Sequence, residues 1–120
     1  MNIKKDIIKD SLMVKITVTE EGQEAGRCFV YILHNDLHAE PFAYLEDVFV
    51  AEKFRGQKIG TKLVELAVEE AKSRGCYKMI FTTRHAKPEV QEWYKKLGFK
   101  DWGTEFRMDL KSDSKILTKD

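Results

Sequence analysis

The stretch YLEDVFVAEKFRGQKIGTKLVELAVEEAKSRG, residues 44–75, changes period halfway along, and that change decides the fold. Before the glycines, FAYLEDVFVA (42–51) is β-branched and aromatic and reads as a strand, with two acids embedded in it. After them, Ile59, Leu63, Leu66, Ala67 and Ala71 mark one face of a helix, and Gly75 stands where a helix stops. Between lies FRGQKIG (54–60), a strand-to-helix loop whose N–H groups sit at the positive end of the helix dipole. Gly56 and Gly60 permit close backbone approach, Thr61 offers a hydroxyl, and Arg55, Lys58 and Lys62 supply positive charge. These residues suit a pyrophosphate; the plain alternative is a surface turn at a glycine-rich helix start.

Two nucleotide motifs fail on spacing. A P-loop needs G-x-x-x-x-G-K-[ST], but Gly56 and Gly60 are one residue too close and the order is Thr61-Lys62. The dinucleotide fingerprint G-x-G-x-x-G is absent, and strand 42–51 does not open a βαβ series.

Outward from the loop, LMVKITVT (12–19) and EAGRCFVYILH (24–34) alternate as strands and are joined by EEGQ into a hairpin. CYKMIFTT (76–83) is a further strand, Pro88 opens a helix over EVQEWYKKLG, and Gly98 stops it. FKDW and TEFRMDL, meeting at Gly103, read as a closing hairpin or bent strand. The order is β-β-β-α-β-α-β(β), an α+β fold with a mixed sheet, because the βαβ unit requires a parallel pair. Residues 1–11 read as a tether or short helix carrying Ile3, Ile7 and Ile8. Residues 12–110 are expected to form one domain and 111–120 a flexible tail.

A length of 120 residues suits one core, and 42% hydrophobic with 34% charged residues is ordinary for a globular chain. No apolar run approaches the roughly 18–20 residues that span a bilayer. The start, MNIKKDIIKD, is too charged for a secretory signal. Cys28 and Cys76 lie in apolar surroundings and read as buried free thiols, which suits a cytoplasmic protein. Residues 1–52 carry 5 Lys/Arg against 10 Asp/Glu, and residues 53–120 carry 16 against 10. The first half thus suits a cationic ligand and the second an anionic one; the plain alternative is that the two halves interleave in the fold and the contrast averages out. His34, His38 and His85 form no ligand set, so no metal is expected. Scattered lysines and a near-neutral net charge of +1 argue against nucleic acid.

The loop, its flanking elements and a second motif together resemble the Gcn5-related N-acetyltransferase family. The family's junction, Arg/Gln-x-x-Gly-x-Gly/Ala, is matched by Arg55-Gly56-Gln57-Lys58-Ile59-Gly60. Its Tyr-x-x-x-Gly-Phe/Tyr element is matched by Tyr94-Lys95-Lys96-Leu97-Gly98-Phe99, and the likeness covers roughly residues 12–110. The resemblance implies that Arg55, Gly56, Gln57, Lys58, Ile59, Gly60 and Thr61 hold the pyrophosphate of acetyl-CoA, chiefly through backbone groups. It implies that Phe49, Val50 and Ala51 pair with the pantetheine arm. Lys58 replaces the central glycine, a position where any residue but proline still offers an amide. Lys87 replaces an asparagine seven residues ahead of Tyr94, and it or Lys95 is expected to reach the 3′-phosphate instead.

For catalysis the resemblance implies two groups. YLEDVFV resembles the matching strand of the polyamine acetyltransferases and, through EDV, that of the amino-sugar enzymes; in the polyamine branch the glutamate matching Glu46 is the proposed general base toward the substrate ammonium. Tyr94 would protonate the departing thiolate. The plain alternatives are an edge glutamate paired with a Lys or Arg, and a Trp93-Tyr94 core pair. Only about eleven residues precede the first clear strand, so the strand and two helices that usually wall the acceptor site are expected to be largely missing. An open acceptor site or a homodimer would answer that, and so would loss of catalysis. The expected function is transfer of an acetyl group from acetyl-CoA to a primary amine, a small cationic amine ahead of a protein amine. The alternative is a non-catalytic acyl-CoA-binding or interaction module.

Overall fold

The computed structural model describes residues 1–117. Strands β1 (Leu12–Glu20), β2 (Gln23–Leu33), β3 (Phe42–Val50) and β4 (Met79–Ile80) form one sheet in the order β1-β2-β3-β4. The first three are antiparallel, and β3 runs parallel to β4. Helix α1 (Ile59–Ser73) connects β3 to β4, and α2 (Pro88–Lys96) follows. This is the mixed α/β architecture expected from the sequence.

The β1–β2 hairpin turns on Glu21 and Gly22, both with positive φ (53° and 72°), as a two-residue turn matched to strand twist requires. In β2 the alternation sends Cys28, Val30 and Ile32 into the core and turns Arg27, Phe29 and Tyr31 to the other face. Ile59, Leu63, Val64, Ala67 and Ala71 of α1 are buried with them, together with Ala43 and Leu45 of β3. Val64 takes a core position that the sequence pattern gave to Leu66, which is half-buried. The fit is closest at Gly26. A Cβ there would stand 2.9 Å from the Phe49 carbonyl oxygen and 3.0 Å from side-chain carbons of Ile59 and Leu63, so glycine lets the first turns of α1 press on the sheet. Both cysteines are free; Cys28 is buried and Cys76 half-buried.

Strand β3 breaks its own alternation. Glu46 pairs with Phe29 and Phe49 pairs with Arg27, so Asp47 and Val48 together oppose one residue, Cys28. This is a β-bulge, with Asp47 at φ 53°. The extra residue advances the phase by one. Phe49, which strict alternation would group with Leu45, therefore shares the face of Tyr44 and Glu46.

Two expected elements differ. The strand foreseen over 76–83 is laddered at Met79 and Ile80, opposite Ala43 and Tyr44. It is preceded by bonds from the Tyr77 amide to the Pro41 carbonyl and from the Ala43 amide to the Lys78 carbonyl. The closing hairpin over FKDW and TEFRMDL does not form among the described residues. Trp102, Phe106, Met108 and Leu110 lie exposed there. Their alternation favours an extended chain, but a strand also needs a neighbour to accept its backbone bonds. Residues 1–11 form no helix and are exposed. The described chain falls into two compact units, one ending at Phe81 and one beginning at Thr82, and α2 belongs to the second.

Candidate functional site

The chain leaves β3 through a short anchored turn. The Ala51 amide bonds the Ala25 carbonyl at 2.8 Å. A single 3₁₀ turn, Glu52–Phe54, follows, with Phe54 buried beneath it. The Arg55 side chain folds back, its Nε donating to the Val50 carbonyl at 3.0 Å. Lys53 meets Glu21 of the hairpin tip at 3.4 Å, a second tie on the same turn.

Beyond Arg55 the backbone turns twice through the left-handed region, at Gly56 (φ 83°) and at Lys58 (φ 62°, ψ 23°). Lys58 is the N-cap residue of α1 and offers no side-chain acceptor to it. The first amide of the helix to bond is Lys62, to the Lys58 carbonyl at 3.1 Å. Among the described residues the amides of Ile59, Gly60 and Thr61 meet no protein acceptor. No acid lies in that first turn, and Lys58 and Lys62 are exposed beside it. Positive dipole end, open donors and added cations all favour a bound anion. A non-glycine residue held left-handed costs about 1–2 kcal/mol, strain that such a turn carries when its shape is needed.

Among the described residues, the strand leading into this turn is laddered on one side only beyond Tyr44. Its β2 edge is paired through Val50, whereas its ladder with β4 ends at Tyr44. The bulge at Asp47 and Val48 lies in the part without a second ladder, so Phe49, Val50 and Ala51 lead to the loop along an unladdered edge. On the face away from α1, Tyr44, Glu46 and Phe49 gather with Arg27, Phe29 and Tyr31. The Tyr31 hydroxyl donates to Glu46 Oε1 at 3.1 Å, and the rings of Tyr31 and Tyr44 meet edge-on at 6.4 Å. Arg27 stacks over Phe49 at 4.6 Å and Lys15 over Phe29 at 5.8 Å. Glu46 is exposed, and a tyrosine hydroxyl, not the Lys or Arg of the plain sequence alternative, is its hydrogen-bond partner.

In the second unit, α2 opens with Lys87 as N-cap residue and Pro88 as its first helical residue. The Gln91 side chain closes that entrance on the Arg84 carbonyl at 2.8 Å. The far end explains the Tyr94–Phe99 motif. Gly98 has φ 104°, its amide bonds the Lys95 carbonyl at 3.0 Å, and the Phe99 amide bonds the Tyr94 carbonyl at 3.2 Å. The Phe99 ring meets the Tyr94 ring edge-on at 6.0 Å, and Trp93 meets it at 4.7 Å. Glycine and phenylalanine thus hold the tyrosine on the last turn of its helix. Neither Trp93 nor Tyr94 is buried, so a core aromatic pair does not describe them.

The first unit therefore brings together Glu46, Phe49, Val50, Ala51 and the loop from Arg55 to Thr61, while Tyr94 and Lys87 stand on the second. Sequence reasoning missed Tyr31. The signal available was its place on the outward phase of β2, but its register against β3 is not written in either strand. Among the described residues no group of three or more His, Cys, Asp or Glu side chains is arranged to hold a metal, and no helix is long and apolar enough to cross a membrane.

The model of the acetyltransferase (GNAT) family matches residues 5–99. Glucosamine 6-phosphate N-acetyltransferase of Arabidopsis thaliana is 40% identical over 55 residues, 46% of this chain and 35% of that protein. Thialysine N-epsilon-acetyltransferase of Bos taurus is 34% identical over 93 residues, 74% of this chain and 55% of that one. The chain thus spans about a third to a half of the curated relatives it matches. The crystal structure of the Arabidopsis enzyme superposes with a TM-score of 0.74 at 28% identity, covering 82% of this chain and 67% of that one. Loop, strand, helix and both motifs fall inside the matched span, and the chain belongs to the acetyltransferase (GNAT) family.

Proposed function

We propose that this chain is an acetyl-CoA-dependent N-acetyltransferase that acetylates a primary amine by direct attack, in the cytoplasm. The observation that carries the reading is the start of α1, where three amides without protein acceptors, a left-handed Lys58 and the cation of Lys62 face the same turn. These residues fit a pyrophosphate, and the unladdered end of β3 fits an amide-bearing arm running toward it. Bound acetyl-CoA supplies a thioester whose carbonyl carbon is the electrophile.

The chain's own residues do the rest. An ammonium near neutral pH has no lone pair, so Glu46, directly or through water, takes its proton and frees the nitrogen. The Phe49 or Val50 amide donates to the oxygen on which charge grows, a fixed dipole needing little reorganisation. As the C–N bond forms and the C–S bond breaks, Tyr94, carried over from the family motif, gives its phenolic proton to the departing sulfur, and the second nitrogen proton, passed through water, restores the phenol. Exposed Glu46 and Asp47, with the π faces of Tyr31 and Tyr44 beside Glu46, favour a small cationic amine.

The test follows CoA release from acetyl-CoA with a panel of primary amines, alongside thermal stabilisation by acetyl-CoA. Stabilisation with amine-dependent release is expected. Stabilisation without release on any amine would favour an acyl-CoA-binding module, and absence of both would sink the reading. Tyr94→Phe is expected to slow turnover about 10- to 10³-fold, near the range for a general acid. Glu46→Gln is expected to abolish the acid limb of the pH–rate profile; a retained limb would remove Glu46 as base.

A further inference from the structure

Glu46 is an exposed side chain with three rotatable bonds, one residue before a bulge, and a base must be aimed as well as present. The sheet supplies the aim. Phe29 is the direct partner of Glu46, and Tyr31, two residues along β2 on the same face, reaches diagonally to place its hydroxyl 3.1 Å from Oε1. The Tyr31 ring is set in turn by its register against Tyr44 and their edge-on contact. We propose that Tyr31 is a positioning residue, whose hydroxyl holds the Glu46 carboxylate in the orientation from which it takes the acceptor's proton. This rests on Glu46 being the base.

The surroundings keep Tyr31 a donor. Burial lifts its phenol above the ordinary tyrosine value, and the hydrogen bond and charge of Glu46, with Asp47 and Tyr44 of the same strand, lift it further. From β1, Met13 stands opposite and brings no charge, while Lys15 is opposite Phe29 and held over that ring. On β2, Arg27 is engaged by Phe49 and by Glu24, the latter at 3.6 Å. The proton therefore stays on Tyr31 through the neutral range, where Glu46 has to accept one from the amine.

The test uses Tyr31→Phe and Glu46→Gln, singly and together, with acetyl-CoA and spermidine, thialysine or glucosamine 6-phosphate as acceptor. Tyr31→Phe is expected to lower kcat about 3- to 30-fold, the effect of losing a half-exposed hydrogen bond to a charged group, with the KM for acetyl-CoA unchanged. The double variant is expected to be no slower than Glu46→Gln, because Tyr31 acts only through that carboxylate. Unchanged kcat in Tyr31→Phe, or losses that add in the double variant, overturn the proposal.

A second measurement needs no turnover. Tyrosinate absorbance of the wild type minus Tyr31→Phe isolates the Tyr31 titration, and Glu46→Gln is expected to move it to lower pH. An unmoved titration also overturns the proposal. Full turnover by Glu46→Gln would instead sink Glu46 as base, while the absorbance still reports whether the pair is held.

Discussion

At the C-terminal end of α1 the Glu70, Ala71 and Lys72 carbonyls accept from Arg74, Cys76 and Gly75, and the Ser73 hydroxyl adds a bond to Glu70. At its N-terminal end the amides of Ile59, Gly60 and Thr61 meet no acceptor among the described residues, and the residue in the capping position is a lysine. The same 15-residue helix is closed at one end and open at the other. Capping one of those amides would have taken a single Ser, Thr, Asp or Asn at position 58, worth about 1 kcal/mol. Instead the chain holds Lys58 left-handed, against its own preference, and adds Lys62 where the dipole favours an acid. A local rule broken twice on one turn, beside a well-capped end, is what the proposed ligand seat requires and a mere helix start does not.

The strongest way to break the comparison is to let the chain close its own open end. Thr61 is the third residue of α1, where a glutamate interacts well with the first-turn amides. Thr61→Glu is expected to raise the dissociation constant for acetyl-CoA about 10- to 100-fold, through like-charge contact with the pyrophosphate near the surface. The same change is expected to stabilise the free protein by about 0.3–1 kcal/mol. Calorimetric titration and urea unfolding read the two quantities, and their opposite signs are the point. Unchanged affinity would mean that the open amides do not receive the phosphate.

The closed end gives the contrasting result. Gly75 has φ 77° with open space around a Cβ, so Gly75→Ala meets backbone strain and no clash. A loss of about 1 kcal/mol is expected in urea unfolding, with acetyl-CoA affinity unaltered. Gly98→Ala, at the equivalent place after α2 (φ 104°), is expected to cost the same and also to lower turnover, since the Gly98–Phe99 cap holds the turn that carries Tyr94. If both variants lost affinity alike, binding would be following overall stability and the two ends would not differ.

How far the sequence could be read follows from the range of the forces involved. The β1–β2 turn, α1 with its Gly75 stop, and Pro88 and Gly98 bounding α2 are short-range features, set by residues within a few positions of each other. The bulge was hidden because Asp47 and Val48 look like any strand pair; only the pairing with Cys28 shows that one of them is extra. That one residue moved Phe49 to the face of Glu46. Tyr31 escaped notice for the same reason, since its bond to Glu46 depends on register between strands. TEFRMDL alternates as a strand should, yet alternation specifies a face and not a partner. In the candidate site, the open turn over residues 55–61 was legible because glycines and cations at a strand-to-helix junction are a local signature, whereas the face around Glu46 is built from cross-strand contacts.

The smallest expected effect sharpens the comparison most, because it separates the shape of the open end from its charge. Lys58→Gly removes a side chain from a left-handed position, where glycine is unstrained. The relief of about 1–2 kcal/mol is partly offset by the greater freedom glycine has in the unfolded chain, leaving a gain of about 0.5 kcal/mol. The amide at position 58 and the helix start are unchanged, so acetyl-CoA should still bind. The exposed ammonium goes, and with it a surface attraction of less than about 1 kcal/mol that salt screens. The variant is therefore expected to be slightly more stable, to bind acetyl-CoA no more than about fivefold more weakly at low salt, and to match the wild type at high salt. A large loss of affinity that persists at high salt would show that Lys58 grips the ligand with its side chain, and its strained backbone would then be incidental to the open end.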